Sequence, residues 1–427
     1  MIEYLGESSK EPREYLEEIE RLVEAGEYEQ ALAVIKDLEA SPEIDRFTSE
    51  ALSRLCYLKA RDQRFLEKYQ KALKSAEGAN SYGDQANDGK AIADAQYVLG
   101  SIKISLGDLK DAEIDINRAL TGFERIQDCC GVINALSRLG QIESIRGNYS
   151  GAVNLCHQAL GHCRRSEKVT DRATKNKVKR QRTVLLGSLG QRYLRMGQWD
   201  KAEKNLQLHV RQLEEDGDEV NLARGLLLLG YVRFVRLQFD QAKVSYEKAL
   251  AFIKKKKLVR ELAIYHEYSG ELALAQGSYF EARRHFQEAL DIGKRIAPNS
   301  ALVSQTYRLV AEPQIASKQF EEALCSCNEA LKVASSLEER IEIGAIHRAL
   351  GQIWTAKKDK VRAKECFEMS ISVLKKIEAK FELGKAYLEA SRSVCFDPSQ
   401  RNKYRARAEK LFRGLGLDEN GRYREAS

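Results

Sequence analysis

The chain has 427 residues, 43% hydrophobic and 31% charged, with a formal net charge of +7. That balance supports folding in water and excludes broad disorder, and the modest charge permits an acidic partner without requiring nucleic acid. No signal-like core opens the sequence and no apolar run reaches about 18 residues, so neither secretion through a signal peptide nor membrane spanning is expected.

Only 5 prolines and 28 glycines occur, and alanine, leucine, glutamate, lysine and arginine dominate, a composition that favours helix. The nine cysteines are scattered without framework spacing, which points to a reducing, cytoplasmic setting.

Residues 1–12 read as a polar lead, and residues 13–80 as divergent helical repeats. Glu14 to Leu38 makes a first hairpin, with Gly26 at its turn and Ala31 as its small packing residue. Ser41-Pro42 is a break, with proline suited to the first position of a helix. A degenerate second unit runs from about Arg46 to Leu73. Its turn is expected at Arg61-Asp62, with Phe65 where alanine usually stands.

Residues 81–375 read as a regular array. Small-residue marks fall at Gly100, Gly140, Gly190, Gly230, Gly270, Ala311 and Gly351. Seven residues after each mark come Gly107, Gly147, Gly197, Leu237, Gly277, Lys318 and Lys358. Twelve after come Ala112, Ala152, Ala202, Ala242, Ala282, Ala323 and Ala363. The period is close to 40 apart from one step of 50, between Gly140 and Gly190. A single amphipathic hairpin cannot bury its apolar stripe alone, but stacking each on the next builds a continuous thin core. The expected fold is all-α, a right-handed α-solenoid of stacked antiparallel helix hairpins.

The long step is read as an extended helix pair with a longer basic connection at 166–182. Ala297 to Ser300 reads as a loop, and Pro313 should bend or shorten its helix. Residues 376–417 are expected to form capping helices: Gly384 marks one, Asp397 to Gln400 is read as a loop, and Arg401 to Arg413 as the last helix. Residues 418–427 read as a flexible tail or truncated linker.

The segments LGSIKISLGDLKDAEIDINRAL (99–120), LGQRYLRMGQWDKAEKNLQLHV (189–210) and SGELALAQGSYFEARRHFQEAL (269–290) resemble the tetratricopeptide repeat in its long-linker form, with units of about 40 residues. The resemblance covers about residues 14–395. Leu237, Lys318 and Lys358 depart from it at the turn glycine. A weaker similarity, over 344–390 and ARAEKLFRGLGL, is to the ends of such arrays in large bacterial transcription regulators. It implies a protein- or peptide-binding scaffold acting as the sensory part of a signalling or transcription regulator.

Registering the first helices by their marks places Tyr97, Asn134, Arg195, Arg224, Tyr231, Phe234, Glu267, Glu271, Arg308, Glu312, Arg348 and Gln352 along a concave groove. Arginines there can clamp carboxylates and aromatics supply buried area, which suits a peptide or helix, including an acidic one. Lys175, Lys177, Lys179, Arg180 and Arg182 form a basic patch that lacks interleaved aromatics, so nucleic-acid binding ranks below a protein partner. Self-association as a constitutive structural adaptor is the alternative. No catalytic order, cofactor loop or converging metal-ligand set is read from the sequence, so a non-enzymatic array is expected.

Overall fold

A small residue on one helix facing a large one on the next sets the geometry of most hairpins. A Cβ added at Gly100 would lie 2.6 Å from Ile116, at Gly190 2.4 Å from Leu206, at Gly230 2.4 Å from Tyr246 and at Gly270 2.5 Å from Phe286. Each large residue stands sixteen positions after its mark. Where the mark is Ala311, the residue sixteen on is the smaller Cys327, and both are fully buried. The volumes across the hairpin therefore compensate, as close-packed interiors require.

The computed structural model describes residues 11–66, 68–169 and 171–422. The lead expected at 1–12 and the tail expected at 418–427 lie mostly outside them. The described residues are all-α, without a β-strand, and form stacked helix hairpins. In order the helices are α1 (Pro12–Ala25), α2 (Tyr28–Glu39), α3 (Ser49–Phe65), α4 (Tyr69–Ala86), α5 (Gly89–Leu106), α6 (Leu109–Arg125), α7 (Cys129–Ile145), α8 (Tyr149–Val169), α9 (Arg172–Arg195) and α10 (Trp199–Asp216). They continue as α11 (Glu219–Val235), α12 (Phe239–Lys256), α13 (Val259–Ala275), α14 (Tyr279–Ile296), α15 (Ala301–Ala316), α16 (Phe320–Ser336), α17 (Arg340–Ala356), α18 (Lys360–Lys376), α19 (Lys380–Arg392) and α20 (Pro398–Gly414).

Two compact units are present. The first comprises residues 1–142 and 154–181, the second residues 143–153 and 182–427.

Several expectations need correction. The second hairpin does not turn at Arg61-Asp62: both lie inside α3, and the chain reverses between Phe65 and Tyr69. Ala72, not Phe65, is the small packing residue. It is fully buried whereas Phe65 is 46% exposed. The polar pair was misleading because Asp62 occupies a core position, where Ile102, Val232 and Ile353 stand in later repeats.

The stretch 166–182 is mostly helix rather than connection. Asp171 caps α9, its Oδ1 accepting from the backbone N–H groups of Ala173 and Thr174 at 2.8 and 3.0 Å. The ten extra residues of the long step lengthen α8 to 21 residues and α9 to 24, against 17 in α7.

Pro313 does not end its helix. It is buried inside α15, which continues to Ala316. Asp397-Pro398 is a helix start, since Asp397 Oδ1 accepts from Gln400 N at 2.9 Å and proline takes the first turn. The three non-glycine turn residues keep the turn: Leu237, Lys318 and Lys358 adopt φ of 64°, 60° and 64°, close to the 77° of Gly277.

Candidate functional site

On each first helix, the residues three before and one after the mark are four apart and share one face. In the second unit these include Glu267 and Glu271 on α13, Arg308 and Glu312 on α15, and Arg348 and Gln352 on α17. The first helices α11, α13, α15, α17 and α19 touch one another in succession, whereas the second helices show no comparable contact among the described residues. The stack therefore curves with the first helices inside, and these positions line its concave face.

Much of that face is internally paired. Arg224 Nε donates to Glu261 Oε1 at 2.5 Å, Gln305 to Glu267 at 2.5 Å, and Gln352 to Glu389 at 2.9 Å. Arg308 bridges two acids, Glu342 at 2.6 Å and Glu312 at 3.0 Å, and Arg348 pairs with Glu382. Arg224, Glu267, Arg308, Glu312, Arg348 and Gln352 thus brace neighbouring repeats as well as lining the groove.

The groove residues with the least internal pairing cluster near α9, α11 and α13. Arg195 is exposed and makes no ion pair among the described residues. Around it a narrow cavity is lined by Gln191, Trp199, Tyr231, Tyr268 and Phe381. The Tyr231 and Tyr268 rings lie 4.5 Å apart, Tyr231 and Phe234 5.7 Å, and Trp199 and Phe381 5.3 Å edge to face. Arg195, Trp199 and Ala379 also line a larger cavity of about 1070 Å³, walled by the turns at 146–150, 195–201, 376–380 and 414–417. Its cations, Arg146, Arg195, Lys201, Lys376 and Lys380, outnumber its acids, Asp200 and Glu378.

Electrostatics divide the acids of this face. Burial pushes the Glu271 carboxyl up to about 7, with Arg308 offsetting only part of the cost. Burial, and then Glu271 beside it, also hold the Glu267 carboxyl well above its ordinary value. Glu382 goes the other way: burial opposes its charge, but Lys385 and Arg348 outweigh it and keep the carboxyl well below the usual range. Near neutral pH Glu267 and Glu271 therefore carry their protons for much of the time, with Glu271 hydrogen-bonded to Tyr231.

Tyr97 and Asn134 belong to the first unit, apart from this cavity. Tyr97 accepts from Arg138 Nε at 3.2 Å, and Asn134 Oδ1 accepts from Gln181 Nε2 at 2.9 Å. Of the basic patch, Lys175, Lys177 and Arg180 are exposed on the first half of α9, whereas Lys179 and Arg182 are half-buried. Sequence reasoning missed Trp199, Tyr268, Phe381, Glu382 and Lys385. Tyr268, two residues before Gly270, was within reach of the register. Trp199 and Phe381 meet only because distant repeats come together.

Tetratricopeptide-repeat families match residues 260–336 and 132–166. No curated protein matches the sequence significantly. A Rap protein complexed with Competence and Sporulation Factor is similar in structure, with TM-score 0.61, 14% identity, and coverage of 96% of this chain and 99% of that one. NprR in complex with its cognate peptide NprX gives 0.59 at 14% identity, covering 84% and 98%. Aspartyl phosphate phosphatase F from Bacillus subtilis gives 0.50 at 11% identity, covering 100% and 99%. Two stretches of the chain thus match tetratricopeptide repeats, and its stacked helix hairpins share the fold of the Rap and NprR structures. The phosphatase corrects the expectation of a non-enzymatic array: a protein of this fold carries a catalytic name, so the missing sequence motif does not exclude catalysis.

Proposed function

We propose that this tetratricopeptide-repeat chain is the sensory part of a cytoplasmic regulator, and that it reads a peptide along the concave face of its second unit. One observation carries the reading. The narrow cavity presents an exposed guanidinium without an ion pair, Arg195, among aromatic faces, and its Tyr231 is hydrogen-bonded to Glu271, a partly protonated carboxyl that an incoming amine would ionise. A short peptide offers the complementary set: a carboxylate for Arg195, an amine or basic side chain for Glu271, and apolar side chains for Trp199, Tyr231, Tyr268 and Phe381. The Rap and NprR complexes, each holding its factor or peptide, support the reading at the level of fold.

In this reading residues 13–80 and 81–375 supply the array and 376–417 cap it, the nine scattered cysteines suiting a reducing compartment. Among the described residues no helix is long and apolar enough to cross a membrane.

The test is native mass spectrometry of the purified chain with a pool of synthetic five- to ten-residue peptides. Stoichiometric retention of a subset, lost in both Arg195→Gln and Glu271→Gln, is expected. Retention unchanged in both variants would refute the assignment.

A further inference from the structure

We propose that the inner face of the first unit holds a second, separate site for a phosphoryl group, built by Arg61, Arg64 and Arg138 around Tyr97. It does not depend on the peptide reading, because every residue lies in the other unit.

The geometry begins on α3. Arg61 and Arg64 are three residues apart and share a helix face. Arg61 lies over the Tyr57 ring at 5.6 Å and Arg64 over Phe65 at 4.6 Å. On α7, Arg138 donates to Tyr97 Oη at 3.2 Å and to Gln141 Oε1 at 2.7 Å, both neutral acceptors. Arg64 Nε is buried and makes no hydrogen bond. All three side chains are half-buried.

Among the described residues no carboxylate forms an ion pair with the cluster, although Arg61 acts through its charge on the buried Asp62. Nearby cations have theirs: Arg54 pairs with Glu20 at 2.7 Å, Lys90 with Asp128 at 2.7 Å and Lys103 with Asp115 at 2.7 Å. Inner arginines of the second unit, Arg308 and Arg348, have Glu342 and Glu382. Arg61, Arg64 and Arg138 have no ion pair among the described residues. The remaining titratable groups facing them do not substitute. Asp94 lies 3.8 Å from both Arg54 and Lys90, Asp62 is fully buried in the core, and Tyr57, Tyr69 and Tyr97 are phenols.

The cations act on one another. Burial, then Arg138 and Arg61, weaken Arg64's hold on its proton. Although burial opposes ionisation of the Tyr97 phenol, Arg138 and Arg64 outweigh it and draw its pKa below the ordinary value. Half-buried guanidiniums without counter-charge are costly, and an incoming anion removes that cost. A phosphoryl dianion neutralises two charges and offers three terminal oxygens to three donors, whereas a carboxylate offers one charge and two oxygens.

The experiment uses the full chain with two probes, inorganic phosphate and a short phosphoserine peptide, each compared with acetate at matched ionic strength. Calorimetric titration should show saturable binding of at least one phosphoryl probe and none of acetate. Phosphate occupancy should also raise the apparent pKa of one tyrosine, read by tyrosinate absorbance, because the anion offsets Arg138 and Arg64. Arg61→Gln, whose side chain makes a ring contact and otherwise acts only through its charge on Asp62, should weaken binding about tenfold or more with the circular dichroism spectrum retained; Arg138→Gln should do the same. Tighter binding of the phosphopeptide assigns the group to a modified side chain, and equal binding assigns it to free phosphate. Indistinguishable effects of phosphate and acetate, or full affinity in Arg61→Gln, would overturn the site.

Discussion

The ring of Phe286 lies against the backbone of Gly270, so close that a Cβ on residue 270 would sit 2.5 Å from its Cε1. Both residues belong to the hairpin α13–α14, and Phe286 is fully buried. The contact is possible only because residue 270 has no side chain.

Gly270→Ala should therefore destabilise the second unit by about 1–3 kcal/mol, the usual cost of overfilling a packed core. Phe286→Leu in the same background should recover part of the loss, although Phe286→Leu alone is destabilising. Urea denaturation of the two single variants and the double variant measures the coupling. Additive losses would mean that the two positions do not share this space.

The turn residues give a prediction of opposite sign. Leu237 and Lys318 hold left-handed φ values of 64° and 60°, which strain any residue with a Cβ. Leu237→Gly and Lys318→Gly should each stabilise by about 0.5–1 kcal/mol, net of the entropy glycine adds to the unfolded chain. Thermal midpoints of the two variants, compared with a loss in Gly277→Ala, provide the check.

Asp62 predicts a pH dependence. It is fully buried, its two oxygens have no hydrogen-bond partner, and burial pushes its carboxyl up to about 7 from an ordinary 3.8. The folded state thus binds more protons than the unfolded state between about pH 4 and pH 7. Stability contributed at low pH is lost as pH rises through that window and stays lost above it. Asp62→Ile should add about 2–4 kcal/mol at pH 8 and little at pH 4. Chemical denaturation at both values decides it; an equal gain at each would show that ionisation is not the cause.

Two arginines on the inner face of the second unit should differ in cost. Arg308 and Glu342 have side chains only 11% and 10% exposed, whereas Arg224 is 53% exposed opposite a buried Glu261. Removing Arg308 leaves the buried Glu342 unpaired, so Arg308→Ala should cost about 3–5 kcal/mol. Arg224→Ala should cost about 1 kcal/mol or less, since water can still reach its side of the pair. Similar unfolding midpoints for the two variants would remove this distinction.

The repeat was legible even where it was misread. Ala60 stands forty residues before Gly100, and Ala72 forty before Ala112, so the second hairpin was in register all along. Polar Arg61 and Asp62 masked it, because polarity normally marks a turn. The same bias made a connection of 166–182: its lysines and arginines cover the solvent face of α9, while Val178 is fully buried beneath them. Asp397-Pro398 was read as a loop although aspartate followed by proline is also how a helix begins.

By itself the sequence determined the all-helical character of the chain and the recurring hairpin with its small-residue marks. Those follow from the helical period and from the sizes of residues a fixed number apart, both local quantities. Only the tertiary structure decided that Trp199 meets Phe381, that Ile377 packs against Gly147, and that Arg308 finds Glu342 while Arg64 and Arg138 have no ion pair among the described residues. Each hairpin joint contributes a small rotation set by packing volumes. Those rotations accumulate along the stack, so which distant residues meet depends on their sum and not on any one repeat.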